Sequence, residues 1–176
     1  STFTEVAKRV PNAFFVFGGN RSELVTEQFA QRIKQAFEKE GLSFEKHVKV
    51  FPRMHLEKFE QLLHVLDVNL DSIGWSGGVT TVRSISVNLP LVTLPNGLMR
   101  GRHSYAMLKM IGVEELIVES LDGYISLACK LGTDSEYRNE IVRRIEASKH
   151  KLFKDETAVK ALDKLFKEQT QLVRRK

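Results

Sequence analysis

The chain has 176 residues, 42% hydrophobic and 28% charged, with a formal net charge of +5. That is one domain's length, enough to bury a sizeable core, and its composition is not that of a disordered, collagenous or membrane-spanning polypeptide. The lone cysteine, Cys129, excludes an internal disulfide and fits a reducing, cytoplasmic setting; no Cys/His pattern has zinc spacing, and no apolar run approaches about 18 residues.

Charge is unevenly spread. Residues 143–176 hold 11 of the 27 basic and 5 of the 22 acidic side chains, leaving residues 1–142 at −1 and the tail at +6. The tail reads as a basic helical segment, either a solvated face or a docking surface for an acidic partner. It has no aromatic-interleaved basic face, so no nucleic-acid partner is expected. No signal-peptide shape opens the chain, and no membrane partner is expected.

In chain order, "STFTEVAKRVPN" predicts a helix ahead of the first strand. An α/β domain opening on a helix reads as a fragment of a longer polypeptide. "AFFVF" (Ala13–Phe17) predicts a buried strand, and Val25, Phe29, Ile33 and Phe37 recur as one helical stripe closed near Gly41. "HVKVF" (His47–Phe51) predicts a second strand stopped by Pro52, and Phe59, Leu62, Leu63 and Leu66 another helix. Asp67–Asp71 predicts a third strand, and a glycine loop then leads into a helix from about Val79 to Asn88. Leu91–Leu94, between Pro90 and Pro95, predicts a fourth strand; residues 102–111 predict a helix, Glu115–Val118 a fifth strand, and the remainder is helical. Such alternation predicts an α/β domain, an open parallel Rossmann-like sheet with helices on both faces, binding ligands at the carboxyl ends of its strands.

The glycine loop, "GWSGGVTTVRS" (Gly74–Ser84), lies at such an end. Gly74, Gly77 and Gly78 allow positive φ and close approach of backbone N–H groups. The helix that follows offers unpaired N–H groups and a positive dipole end, and Thr80 and Thr81 add hydroxyls, together suiting a diphosphate. A plain turn with Thr80 as N-cap is the alternative. No Gly-Lys-Ser/Thr follows, so this is not a Walker loop, and "FGGNRS" after the first strand is a weak dinucleotide signal.

The stretch "LDSIGWSGGVTTVRSISVNLPLVTLPNGLMRGRHSYAMLKMIGVEELI" resembles the C-terminal catalytic half of the O-linked N-acetylglucosamine transferases of the SPINDLY type. Weaker likeness extends through "RVPNAFFVF", "VKVFPRM", "LGTDSEYR" and "KHKLF". The resemblance implies one lobe of a two-lobed inverting GT-B glycosyltransferase, often preceded by tetratricopeptide repeats. Residues 1–142 would form its sheet core and 143–176 extra C-terminal helices. It implies a UDP-sugar donor, UDP-GlcNAc by family, and a protein Ser/Thr acceptor. No resident cofactor or metal is implied.

By matched position, the resemblance places the backbone near Arg53 and Met54 against the uracil edge and Phe59 in support of the base. Gly77, Gly78, Thr80 and Thr81 hold the diphosphate, with Val79 and Arg83 on the same helix. Arg102 stands near the donor, His103 orients its loop, and Trp75 packs the glycine loop. No residue of the chain is implied as catalytic. The family's general-base candidate lies in an N-terminal lobe and its diphosphate-binding basic residue ahead of "RVPN".

Two positions depart from the family pattern. Val79 replaces a small polar or histidine residue, and Arg83 stands where a carboxylate binds the ribose. A guanidinium only donates, so the swap is expected to weaken ribose binding by roughly 1–3 kcal/mol unless an acceptor comes from elsewhere. A non-catalytic binding or scaffolding domain derived from the family is the alternative reading. The fragment alone is expected to be inactive.

Overall fold

The computed structural model describes residues 1–174. Helix α1 (Thr2–Arg9) lays Val6 and Ala7 inward and leads to β1 (Phe15–Gly18). Helix α2 (Glu23–Lys39) is N-capped by the Ser22 hydroxyl and ends before Gly41, whose φ of +72° suits glycine. A single turn, α3 (Phe44–His47), enters β2 (Val48–Phe51), followed by α4 (Leu56–Leu63). Next come β3 (Asn69–Leu70), α5 (Val79–Ser86) and β4 (Leu91–Val92). The rest is helical: α6 (His103–Ile111), α7 (Leu121–Thr133), α8 (Ser135–Ser148), α9 (His150–Phe153) and α10 (Thr157–Arg174).

The α/β alternation and parallel pairing hold, but the strands are shorter than the sequence pattern implies and form two ladders. β1 pairs β2 in parallel from Phe15–Val48 to Gly18–Phe51, and β3 pairs β4 in parallel. Glu115–Val118 contributes a 3-10 turn (Glu114–Leu116) and one parallel bridge, Ile117 to Thr93. Pro90 and Pro95 bracket β4 and limit its ladder, since proline has no N–H to donate. Asn69 N–H donates to Pro90 O at 2.8 Å and, beyond the two-residue strand, Asp71 N–H to Val92 O at 3.0 Å, so β3 stays aligned up to the glycine loop.

Two apolar clusters hold the layers together. One surrounds β4 with Ile85, Leu91, Val92, Leu108, Leu116, Tyr124 and Leu131. The other joins Val6, Phe15, Phe37, Val48, Ile125 and Ala128. Helix α7 supplies both, and Leu70 packs against each. Of the stripe on α2, Phe37 is fully buried whereas Val25 is exposed, because only the helix's C-terminal half reaches the core. Two cavities of about 460 and 440 Å³ lie along the seam between β1 and β3, with Phe14–Val16, Leu66, Val68 and Leu70 in both linings.

Helix α10 leaves Val159, Leu162, Leu165 and Phe166 exposed, with Lys–Glu and Lys–Asp pairs four residues apart along it. Among the described residues no helix is long and apolar enough to cross a membrane.

Candidate functional site

Asp71, at the carboxyl end of β3, anchors the glycine loop. Its buried carboxylate accepts from Ser76 Oγ (2.8 Å), Thr93 Oγ1 (2.7 Å) and Gly77 N–H (2.7 Å). The Tyr124 hydroxyl donates to the Asp71 carbonyl at 2.8 Å. Burial first, and the Asp71 charge second, push the Tyr124 phenol well above its ordinary range, so it remains a donor.

Ser104, on α6, continues the network: its Oγ lies 2.8 Å from Ser76 Oγ and 2.7 Å from Thr81 Oγ1, and its N–H donates to Ser76 Oγ at 2.9 Å. Thr81 Oγ1 also donates to Gly77 O at 3.0 Å, so the network closes back on the glycine loop. A second strap comes from the loop before α6. Arg100 O accepts from Ser76 N–H at 2.8 Å, and Asn96 Nδ2 donates to Gly74 O at 3.3 Å. Asp71, Ser76, Thr93 and Ser104 all lie in the stretch that carries the family resemblance, but local spacing does not show that they meet, since the partners stand up to 28 positions apart.

The loop's glycines differ in purpose. Gly74 alone adopts positive φ, +93°. Gly77 is required for space, since a Cβ there would stand 2.5 Å from Thr80 Oγ1 and 2.7 Å from Thr81 Oγ1. Gly78 is the N-cap of α5 and gives no side-chain cap, so the Thr80 N-cap alternative does not hold. The first intrahelical bond runs from Val82 N–H to Gly78 O at 3.1 Å. Among the described residues the N–H groups of Gly78, Val79, Thr80 and Thr81 therefore have no acceptor, and no acidic residue occupies the first turn. This is an anion-ready helix start on a pinned loop.

The sequence-derived candidates fall around this start. Thr80 is exposed, while Thr81 is buried with its hydroxyl engaged at Ser104. Val79 is 68% exposed. Arg83, one turn along α5, pairs through Nη1 with Glu60 Oε1 on α4, next to the half-buried Phe59 in sequence. Arg53, exposed, and Met54, half-buried, lie in the β2–α4 connection. Arg102 braces its own loop: Nη1 donates to Asn96 O at 3.1 Å and its guanidinium stacks 4.2 Å from the Tyr105 ring centre. His103 opens α6, and Trp75 is exposed with the Arg100 guanidinium 5.7 Å from its ring centre. Among the described residues no three His, Cys, Asp or Glu side chains gather as a metal site.

A pinned glycine loop and open helix start at the end of a parallel strand place the candidate site on an α/β lobe. The chain belongs to glycosyl transferase family 41, which it matches over residues 1–162. It is 26% identical over 116 residues to a probable UDP-N-acetylglucosamine-peptide N-acetylglucosaminyltransferase SPINDLY of Hordeum vulgare, covering 65% of this chain and 12% of that protein. A UDP-N-acetylglucosamine-peptide N-acetylglucosaminyltransferase of Caenorhabditis elegans is 32% identical over 71 residues, covering 40% of this chain and 6% of that protein. Among solved structures, an O-GlcNAc transferase mutant of Thermobaculum terrenum superposes with a TM-score of 0.74 at 22% identity, over 83% of this chain and 28% of its own. That likeness shows the fold, an α/β lobe of the GT-B kind.

Proposed function

We propose that this chain is the donor-binding lobe of an inverting glycosyltransferase that moves GlcNAc from UDP-GlcNAc to a protein Ser or Thr hydroxyl. The carrying observation is the start of α5, where four unpaired N–H groups stand on a loop held by Asp71. The diphosphate would lie there, with the base toward Arg53, Met54 and Phe59. The helix start would stabilise charge that develops on the leaving diphosphate as the glycosidic bond breaks, so the same groups would serve binding and catalysis. We assign no general base among these residues. The chain spans 12% of the Hordeum protein's length, and the acceptor site belongs to this proposal only for the whole enzyme.

Calorimetric titration with UDP and with uridine tests the reading. UDP should bind and uridine should bind far more weakly. Thr80→Ala removes a hydroxyl at the exposed rim and should lower UDP affinity about tenfold or more, consistent with one lost hydrogen bond to a charged group, without changing uridine binding. No heat with millimolar UDP, or equal affinity for UDP and uridine, overturns the diphosphate cradle.

A further inference from the structure

We propose that Glu60 accepts hydrogen bonds from the ribose hydroxyls of the bound nucleotide and that Arg83 holds it in position; this rests on the donor-binding reading above. A carboxylate accepts from two hydroxyls and a guanidinium from none, so Arg83 alone leaves the ribose without an acceptor. The fold returns a carboxylate from another element, because Glu60 Oε1 on α4 accepts from Arg83 Nη1 on α5. Glu60 stands four positions beyond Leu56, the first residue of α4, and Arg83 four beyond Val79, the first of α5. At the helical rise both lie about 6 Å below the helix starts.

A nucleoside diphosphate runs base, ribose, diphosphate. The base side of the candidate site is α4 and the segment before it, and the diphosphate side is the start of α5. The ribose between them meets the place where α4 and α5 are bonded to each other. Phe59 and Glu60 are consecutive on α4 and project about 100° apart, so ring and carboxylate can flank one nucleoside.

The pair has an open end and a more buried end. The Glu60 side chain is 45% exposed against 26% for Arg83. Among the described residues nothing donates to Glu60 Oε2, and Arg83 Nε is buried without a partner. The guanidinium is the more buried partner, and the carboxylate presents the free acceptor. Pairing also cancels the negative charge that a lone carboxylate would set against the neighbouring diphosphate.

Calorimetry with UDP and 2′,3′-dideoxy-UDP on this chain separates the outcomes. The wild-type chain should prefer UDP by about tenfold or more, the range for hydrogen bonds to a charged acceptor. Glu60→Gln should abolish most of that preference by weakening UDP about tenfold while leaving the dideoxy nucleotide within about twofold. Should Glu60→Gln fail to fold because it strands the Arg83 charge, Glu60→Gln/Arg83→Gln removes both charges and carries the same readout. Equal loss for both nucleotides, or no loss for either, overturns the role of Glu60 while the donor site stands. A wild-type chain that binds UDP and the dideoxy nucleotide equally overturns it too. If the wild-type chain binds neither nucleotide, the donor reading falls and the ribose assignment with it.

Discussion

Gly77 and Gly78 are neighbours that the loop needs for different reasons. An alanine Cβ at Gly77 would meet Thr80 Oγ1 and Thr81 Oγ1 inside 3 Å, and Thr81 cannot move freely because Ser104 holds its hydroxyl. At Gly78 the same atom meets nothing within 4 Å, and φ is −99°. Gly77→Ala should therefore cost roughly 1–3 kcal/mol, the usual range for overpacking, whereas Gly78→Ala should cost less, about 0.5–1 kcal/mol, from the N-cap preference for glycine over alanine. Urea denaturation of the two variants checks this, and equal midpoints would contradict the loop geometry. The sequence shows both glycines and the helix start after them, because these signals are local. It does not show that Thr81 turns inward or that Glu60 answers Arg83. Those facts depend on residues 23 positions away, which no local spacing encodes.

At the scale of elements, α7 governs the loop from behind. Tyr124 is buried on its first turns and donates to the backbone carbonyl of Asp71, the residue from which the loop hangs. Burial and the Asp71 charge raise its pKa in the folded state above the unfolded value of about 10. Above that pH the unfolded chain loses the proton while the folded chain keeps it, so the unfolded state gains and stability falls as pH rises. Stability measured by urea titration should thus decline above about pH 10 by up to about 1.4 kcal/mol per pH unit from this residue. Tyr124→Phe should remove that part of the decline, and should itself cost about 1–2 kcal/mol at neutral pH through the lost hydrogen bond. An unchanged alkaline slope in Tyr124→Phe would contradict a protonated, buried tyrosine. Helices such as α2 are readable in the sequence from their period, as Val25, Phe29, Ile33 and Phe37 show. Strand lengths are less so, since a ladder's extent is set by its partner: "ELIV" has strand composition yet closes a 3-10 turn and keeps one bridge to Thr93.

Across the whole molecule the question is whether two ladders and two apolar clusters behave as one folding unit. Their direct seam is poor, flanked by cavities of about 460 and 440 Å³. Coupling must then pass through Leu70, which packs on both clusters, and through α7. On α7, Tyr124 and Leu131 enter one cluster while Ile125 and Ala128 enter the other. A rigid helix gripped on two adjacent faces cannot release one cluster without loosening the other. Leu131→Ala and Ile125→Ala strike opposite clusters, and each should cost about 2–5 kcal/mol as a buried truncation. Trp75, the only tryptophan, sits in the loop after β3 and reports on that half, while far-ultraviolet circular dichroism reports on all helices. In both variants the fluorescence and dichroism transitions should shift together to one lower midpoint, as coincident probes do in two-state unfolding. If Ile125→Ala instead moved the dichroism transition and left Trp75 unfolding at its original midpoint, the clusters would be independent. The glycine loop would then be held by the β3–β4 half alone.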